Sequence, residues 1–170
     1  MSHDRYDDAR LRAILRSVKT IAMVGASADP ARPSALVLNY LTGRGYRVFA
    51  VNPKLAGGRL GRAAVYAALA DIPEPIDMVE IFRRSEAAGV VLDEALALRP
   101  LPTVIWMQLG VRDDAAAARA EAAGVEVVMN RCPKIEHGRL SGELGWMGVN
   151  TRVLSSKRAV LGKGFQKRQV

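Results

Sequence analysis

The feature that most constrains this chain is a regular alternation of two kinds of segment. Five short, almost uninterrupted apolar runs are TIAMVGAS (20–27), YRVFAVNP (46–53), IDMVEIF (76–82), PTVIWMQL (102–109) and VEVVMN (125–130). Stretches with helical spacing or turn residues separate them. A strand that is apolar on both faces must be covered on both faces. Strands joined through helices need crossovers and so run parallel. The pattern predicts one doubly wound α/β domain: a mainly parallel, five-stranded, Rossmann-like sheet with helices on both sides. Right-handed crossovers then give the strand order 3-2-1-4-5.

The intervening segments carry helix punctuation. Leu11, Ile14, Leu15 and Val18 share one helical face within residues 7–18. Pro33 and Ser34 open a helix that stops at Gly43 and Gly45, and Ser85 is a candidate N-cap for a helix running to Leu98 before Pro100. Residues 63–70, AAVYAALA, read as a short helix ended by Pro73 and Pro75. Asp113 and Asp114 sit where a helix start favours negative charge, and Gly124 closes that helix. Residues 138–170 show weak periodicity.

Composition removes several function classes. A chain of 170 residues is one domain's worth. Its one cysteine, Cys132, excludes a disulfide framework and a multi-cysteine metal site, and two histidines, His3 and His137, are too few for a His-rich one. No apolar stretch reaches the roughly 20 residues of a membrane span. The N-terminus carries three Asp before any apolar stripe, unlike a signal peptide, so a cytoplasmic protein is expected. Net charge is +8, which invites a nucleic-acid reading. Residues 138–170 hold seven Lys or Arg and one acid, so +6 of that charge lies there and only +2 in the rest. Without interleaved surface aromatics, the nucleic-acid reading has only charge behind it. Trp106 lies mid-strand and Trp146 also reads as core.

In an open α/β sheet a ligand binds beyond the carboxyl ends of the strands. After the first run, Gly25, Ala26 and Ser27 form a tight turn, and the next helix begins near Arg32 to Ser34. A helix start with backbone N–H groups suits an anion. The turn departs from G-x-G-x-x-G, since Ser27 and Pro30 replace the later glycines, and it can also be a packing turn. A valine at position 25 is expected to abolish ligand binding, with less effect on folding. After the second run, an NAD site would carry Asp or Glu; this chain has Asn52, Pro53 and Lys54. Lys54 attracts a phosphate, or is a solvated loop lysine. A phosphorylated ribose points to NADP or to coenzyme A. Arg83 and Arg84 follow the third run, and Gln108, Leu109 and Gly110 the fourth.

The strings IAMVGASADPARPSALVLNYLTGRGYRVFAVNPK, VEIFRRSE, VIWMQLGVRDDAAAARAEAAGVEVVMNRCPKIEH and GVNTRVLSSKR, taken in order, resemble the small stand-alone CoA-binding-domain proteins of bacteria. These are similar to the N-terminal domain of the succinyl-CoA synthetase alpha subunit. The likeness spans residues 10–158. It implies a Rossmann-like fold holding coenzyme A or acyl-CoA, with the pyrophosphate at Gly25, Ala26 and Ser27. It implies the 3′-phosphate or adenosine near Asn52, Pro53 and Lys54, and strand-end contacts from Phe82, Arg83, Gln108, Leu109 and Gly110. Residues 1–158 are then the domain and 159–170 a basic, mobile tail.

The synthetase subunit has a second domain with a phosphorylated histidine, for which 170 residues leave no room, and His137 does not match that segment. The expectation is cofactor binding without catalysis and without a metal, with the cofactor presented to or sensed for a protein partner. The alternatives are an NADP-binding reductase or redox regulator, and a basic nucleic-acid binder working through the tail. Cys132 and His137, with Glu136 between them, are the one candidate nucleophile–base set; a packed thiol and a structural imidazole are the alternative. The tail can cover the ligand, stay disordered, or join two copies through Val149, Val153 and Leu154.

Overall fold

The structure, a computed structural model, describes residues 3–141. The apolar runs form strands because each presents side chains to both helical layers. They are β1 (Thr20–Val24), β2 (Arg47–Val51), β5 (Met78–Ile81), β6 (Val104–Met107) and β7 (Glu126–Val128), numbered in chain order with β3 (Arg59–Leu60) and β4 (Ala63–Tyr66). The helices are α1 (Asp8–Ser17), α2 (Pro33–Gly43), α3 (Ser85–Leu96), α4 (Asp114–Ala122) and α5 (Pro133–Leu140).

The sheet order is β3-β4-β2-β1-β5-β6-β7, and every pairing is parallel except β3 with β4. Two expectations are corrected. Among the described residues the strands number seven rather than five, and the third apolar run, β5, pairs with β1 and not with β2. The place beside β2 belongs to β4, inside the segment expected to be a short helix. Only the last two residues of that segment are helical, within the 3₁₀ turn Leu69–Asp71. Along β4, buried Ala63 and Val65 alternate with half-buried Ala64 and Tyr66, the period of a strand. Pairing with the open edge of β2 outweighs the helix preference of alanine. Counted over the parallel strands alone, the order is 3-2-1-4-5-6, with β4 as the third. Helix α5 was not expected from the sequence, although Pro133 stands at its first turn.

Two apolar layers hold the sheet. On one face Ile21, Met23, Val48, Met78 and Trp106 meet Leu11 and Leu15 of α1 and Leu38 and Leu41 of α2. On the other, Val24, Val51, Ile81, Ile105 and Met107 meet Leu92 of α3 and Ala116 and Ala120 of α4. Each such large side chain contributes roughly 1.5–3 kcal/mol when fully buried. Asp77 fastens β5 to β1 at their starts, its carboxylate accepting from the backbone N–H of Lys19 at 2.8 Å and of Thr20 at 2.9 Å. Asp113 caps α4 by accepting from Ala116 N–H at 2.9 Å, as its position in the sequence suggested. Ser85 is the first helical residue of α3 rather than its cap, which is Arg84. The Ser85 hydroxyl instead accepts from Arg112 N–H at 3.0 Å and so ties α3 to the turn after β6. Trp106 is wholly buried, its indole N–H donating to the Arg131 carbonyl at 2.8 Å. Trp146, the tail and the boundary at 158 lie outside the described residues.

Candidate functional site

From β1 the chain crosses to β2 on one side, and it later places β5 on the other. The loops leaving β1 and its two neighbours therefore diverge, and a crevice opens between them at the carboxyl ends. A cleft of about 530 Å³ lies there, lined by Gly25, Ala26, Ser27, Arg32, Pro33, Ser34, Asn52, Pro53, Lys54, Phe82 and Arg83. Nine of these are residues singled out from the sequence; Pro33 and Ser34 join them as the first turn of α2. The volume is in the range of small-molecule sites.

The cleft is rigid at its base and cationic at its rim. Asn52 donates from Nδ2 to the Ala26 carbonyl at 2.8 Å and accepts at Oδ1 from Lys54 N–H at 3.0 Å. The first bond joins the first turn to the second and the second bond shapes Asn52's own turn, so Asn52 holds the site together. Gly25 N–H donates to the Val51 carbonyl at 3.1 Å. Ser27 accepts at Oγ from Asp29 N–H at 3.1 Å, which bends the loop toward α2. Helix α2 has Arg32 at its N-cap, no side-chain cap and no acid in its first turn. Its partial positive end and the exposed side chains of Arg32, Lys54 and Arg83 give the cleft a positive field suited to phosphate groups. Arg32 also faces Asp29, at 3.7 Å across a well-exposed pair, which costs little to break.

A second cleft, about 430 Å³, adjoins the first and shares Pro33, Phe82 and Arg83 with it. Its other walls are Leu36, Val37, Gln108, Leu109, Val111, Cys132, Lys134 and Ile135. Gly110 lines neither cleft. Its N–H donates to Asn130 Oδ1 at 2.8 Å, in the turn that carries Leu109 outward. The sequence-derived residues therefore divide into a polar group around Gly25 and Lys54 and an apolar group around Phe82 and Leu109.

Sequence reasoning missed Glu80. It is wholly buried on β5, with Oε1 accepting from Gln108 Nε2 at 3.1 Å and Oε2 without a hydrogen-bond partner. Burial pushes its carboxyl up to about 8, and the Gln108 hydrogen bond offsets only part of that. The visible signal was a lone acid inside the apolar run MVEI. Cys132 stands at the N-cap of α5, above Gln108. Burial raises its thiol pKa, opposed in part by the N–H groups of Ile135 and Lys134; Glu80 raises it further.

The candidate nucleophile set is not assembled. His137 Nδ1 bonds the Tyr40 hydroxyl at 3.0 Å. Glu136 is wholly buried and held by Arg139 Nη2 at 2.7 Å, with Arg131 at 3.7 Å. Neither side chain is directed to Cys132 by these contacts. Among the described residues no cluster of His, Cys, Asp or Glu could hold a metal ion, and no helix is long and apolar enough to cross a membrane.

Comparison with known proteins agrees with this geometry. The CoA binding domain family matches residues 19–138. The uncharacterized protein YneT of Bacillus subtilis (strain 168) is 36% identical over 129 residues, which are 76% of this chain and 93% of that protein. The cell-free ID.343 protein of Thermus thermophilus is 42% identical with a TM-score of 0.74, covering 79% of this chain and 99% of that one. A hypothetical protein of Pyrococcus horikoshii OT3 is 34% identical with a TM-score of 0.75, covering 84% and 100%. The family match spans the strand ends that build both clefts, and the chain belongs to the CoA binding domain family.

Proposed function

We propose that this protein binds coenzyme A or an acyl-CoA across the two joined clefts and has no catalytic machinery of its own. The observation that carries the reading is the polar cleft itself. It gathers the Gly25–Ser27 turn, the uncapped start of α2, and the cations Arg32, Lys54 and Arg83 at one crevice. In this reading the turn and α2 face the pyrophosphate, Lys54 faces the ribose 3′-phosphate, and the arm leaves past Phe82 and Arg83 into the second cleft. The residues present fit the ligand, because a nucleotide with three phosphate groups needs several cations and the second cleft supplies walls for an extended arm. His137 and Glu136 are engaged elsewhere and the Cys132 thiol on the second cleft's wall is buried, so the described residues offer no assembled nucleophile–base pair at the site. A site that holds a cofactor without transforming it serves to sense it or hand it on, to a protein partner or between copies of the chain, in the cytoplasm.

Titration calorimetry with coenzyme A, dephospho-CoA, NADP and NAD tests this. Coenzyme A is expected to bind tightest. Lys54→Ala is expected to weaken coenzyme A by about tenfold, the value of one charge-assisted contact at an exposed position. The same substitution leaves dephospho-CoA unchanged, because that ligand lacks the phosphate Lys54 meets. Equal affinities for coenzyme A and dephospho-CoA would remove Lys54 from its role. Tighter binding of NADP would favour a reductase or redox regulator.

A further inference from the structure

We propose that the second cleft is an acyl pocket, so that the preferred ligand is coenzyme A carrying a hydrocarbon acyl group rather than the free thiol. The inference rests on the reading that the polar cleft holds the nucleotide end of the cofactor. Continuity through Pro33, Phe82 and Arg83 then brings the sulfur end of the arm into the second cleft.

The walls there are suited to hydrocarbon. Leu36, Val37, Phe82, Leu109, Val111 and Ile135 form most of them. Leu36 is 50% exposed, one of three exposed large apolar side chains among the described residues, and it is the one that lines a cleft at the proposed ligand site. The polar side chain at the floor is already committed: Gln108 donates from Nε2 to Glu80 and accepts at Oε1 from Leu109 N–H at 2.9 Å. Of the cations on the lining, Arg83 also serves the polar cleft, and the Lys134 ammonium lies over the Tyr40 ring at 5.8 Å. Such walls return little to a thiol in exchange for its water, whereas covering hydrocarbon is favourable in proportion to the area removed from water. Burial also raises the pKa of the neighbouring Cys132 thiol, away from the thiolate that would attack a thioester.

The test is calorimetric titration of the full chain with coenzyme A and its acetyl, butyryl, hexanoyl and succinyl thioesters. Affinity is expected to rise from the free thiol through the alkyl series, by up to about fourfold for each methylene covered, and to level off when the cleft is full. Leu36→Asp should flatten that slope. Lys54→Ala should weaken every member alike and keep the slope. Equal affinities for coenzyme A, acetyl-CoA and butyryl-CoA would overturn the acyl pocket while leaving cofactor binding in place. Tighter binding of succinyl-CoA than of butyryl-CoA would also overturn it, since the cleft would then be reading charge. Binding of no member would overturn the cofactor reading itself, and the pocket with it.

Discussion

Gly25→Ala is expected to lower the melting temperature by about 10 °C or more, through the fold and not through the ligand. Gly25 has φ +93°, a conformation that L side chains rarely adopt. A methyl group built on its Cα would overlap the Phe82 carbonyl oxygen and come within 3.0 Å of the Phe82 carbonyl carbon. Both atoms are backbone just past the end of β5, where Phe82 N–H donates to the Val24 carbonyl at 2.8 Å and holds this residue against β1, so relief has to come from a shift of main chain. Strain at a positive φ costs about 1–3 kcal/mol and overpacking about 1–3 kcal/mol more. The sum is a large share of the roughly 5–15 kcal/mol that holds a domain together. The sequence-based expectation was the reverse, that a valine here harms binding more than folding. What the string GAS could not display is that the space over Gly25 is taken by the neighbouring strand. Thermal unfolding monitored by circular dichroism, without ligand, decides the matter. A Gly25→Ala protein that melts with the wild type yet no longer binds coenzyme A would restore the glycine to the ligand.

The same contrast runs through the rest of the molecule. The five long apolar runs were legible because a strand buried on both faces writes itself as a continuous string, and all five are strands. β4 was not legible, because AAVY is short and alanine-rich and only its pairing with β2 makes it a strand. That omission changed the order: β5 was assigned the seat beside β2 that β4 holds. The ends of the strands were readable as a group, since topology puts them together whatever the residues are. Their individual tasks were not. Asn52 was read for the acid it replaces, yet its amide bridges Ala26 and Lys54 and fixes the cleft's shape. Cys132 and His137 are five residues apart in the chain, but the Tyr40 hydroxyl on α2 takes the imidazole. Partners that are distant in sequence decide such cases, and spacing along one chain does not contain them.

Glu80→Gln is expected to stabilise the protein at neutral and alkaline pH and to do nothing at pH 4. Glu80 is wholly buried, and its folded pKa is raised from the usual 4.5 to about 8. Below pH 4.5 the carboxyl is protonated whether the chain is folded or not, and it adds no pH dependence. Between 4.5 and about 8 the unfolded chain has released the proton while the folded chain retains it. The folded state then binds more protons, so stability falls as pH rises through this window. Above pH 8 both states are ionised and the full penalty stands, at an upper limit of about 5 kcal/mol. Glutamine keeps the shape, offers Oε1 to Gln108 Nε2 as Glu80 does, and cannot ionise. Its advantage in melting temperature should therefore grow from nothing at pH 4 to about 10 °C at pH 8 and then stay level. Melting curves of the two proteins at unit pH steps test this. Curves that stay parallel from pH 4 to 9 would mean that Glu80 keeps its ordinary pKa in the fold, and that its unpartnered oxygen has a neighbour able to hold the charge.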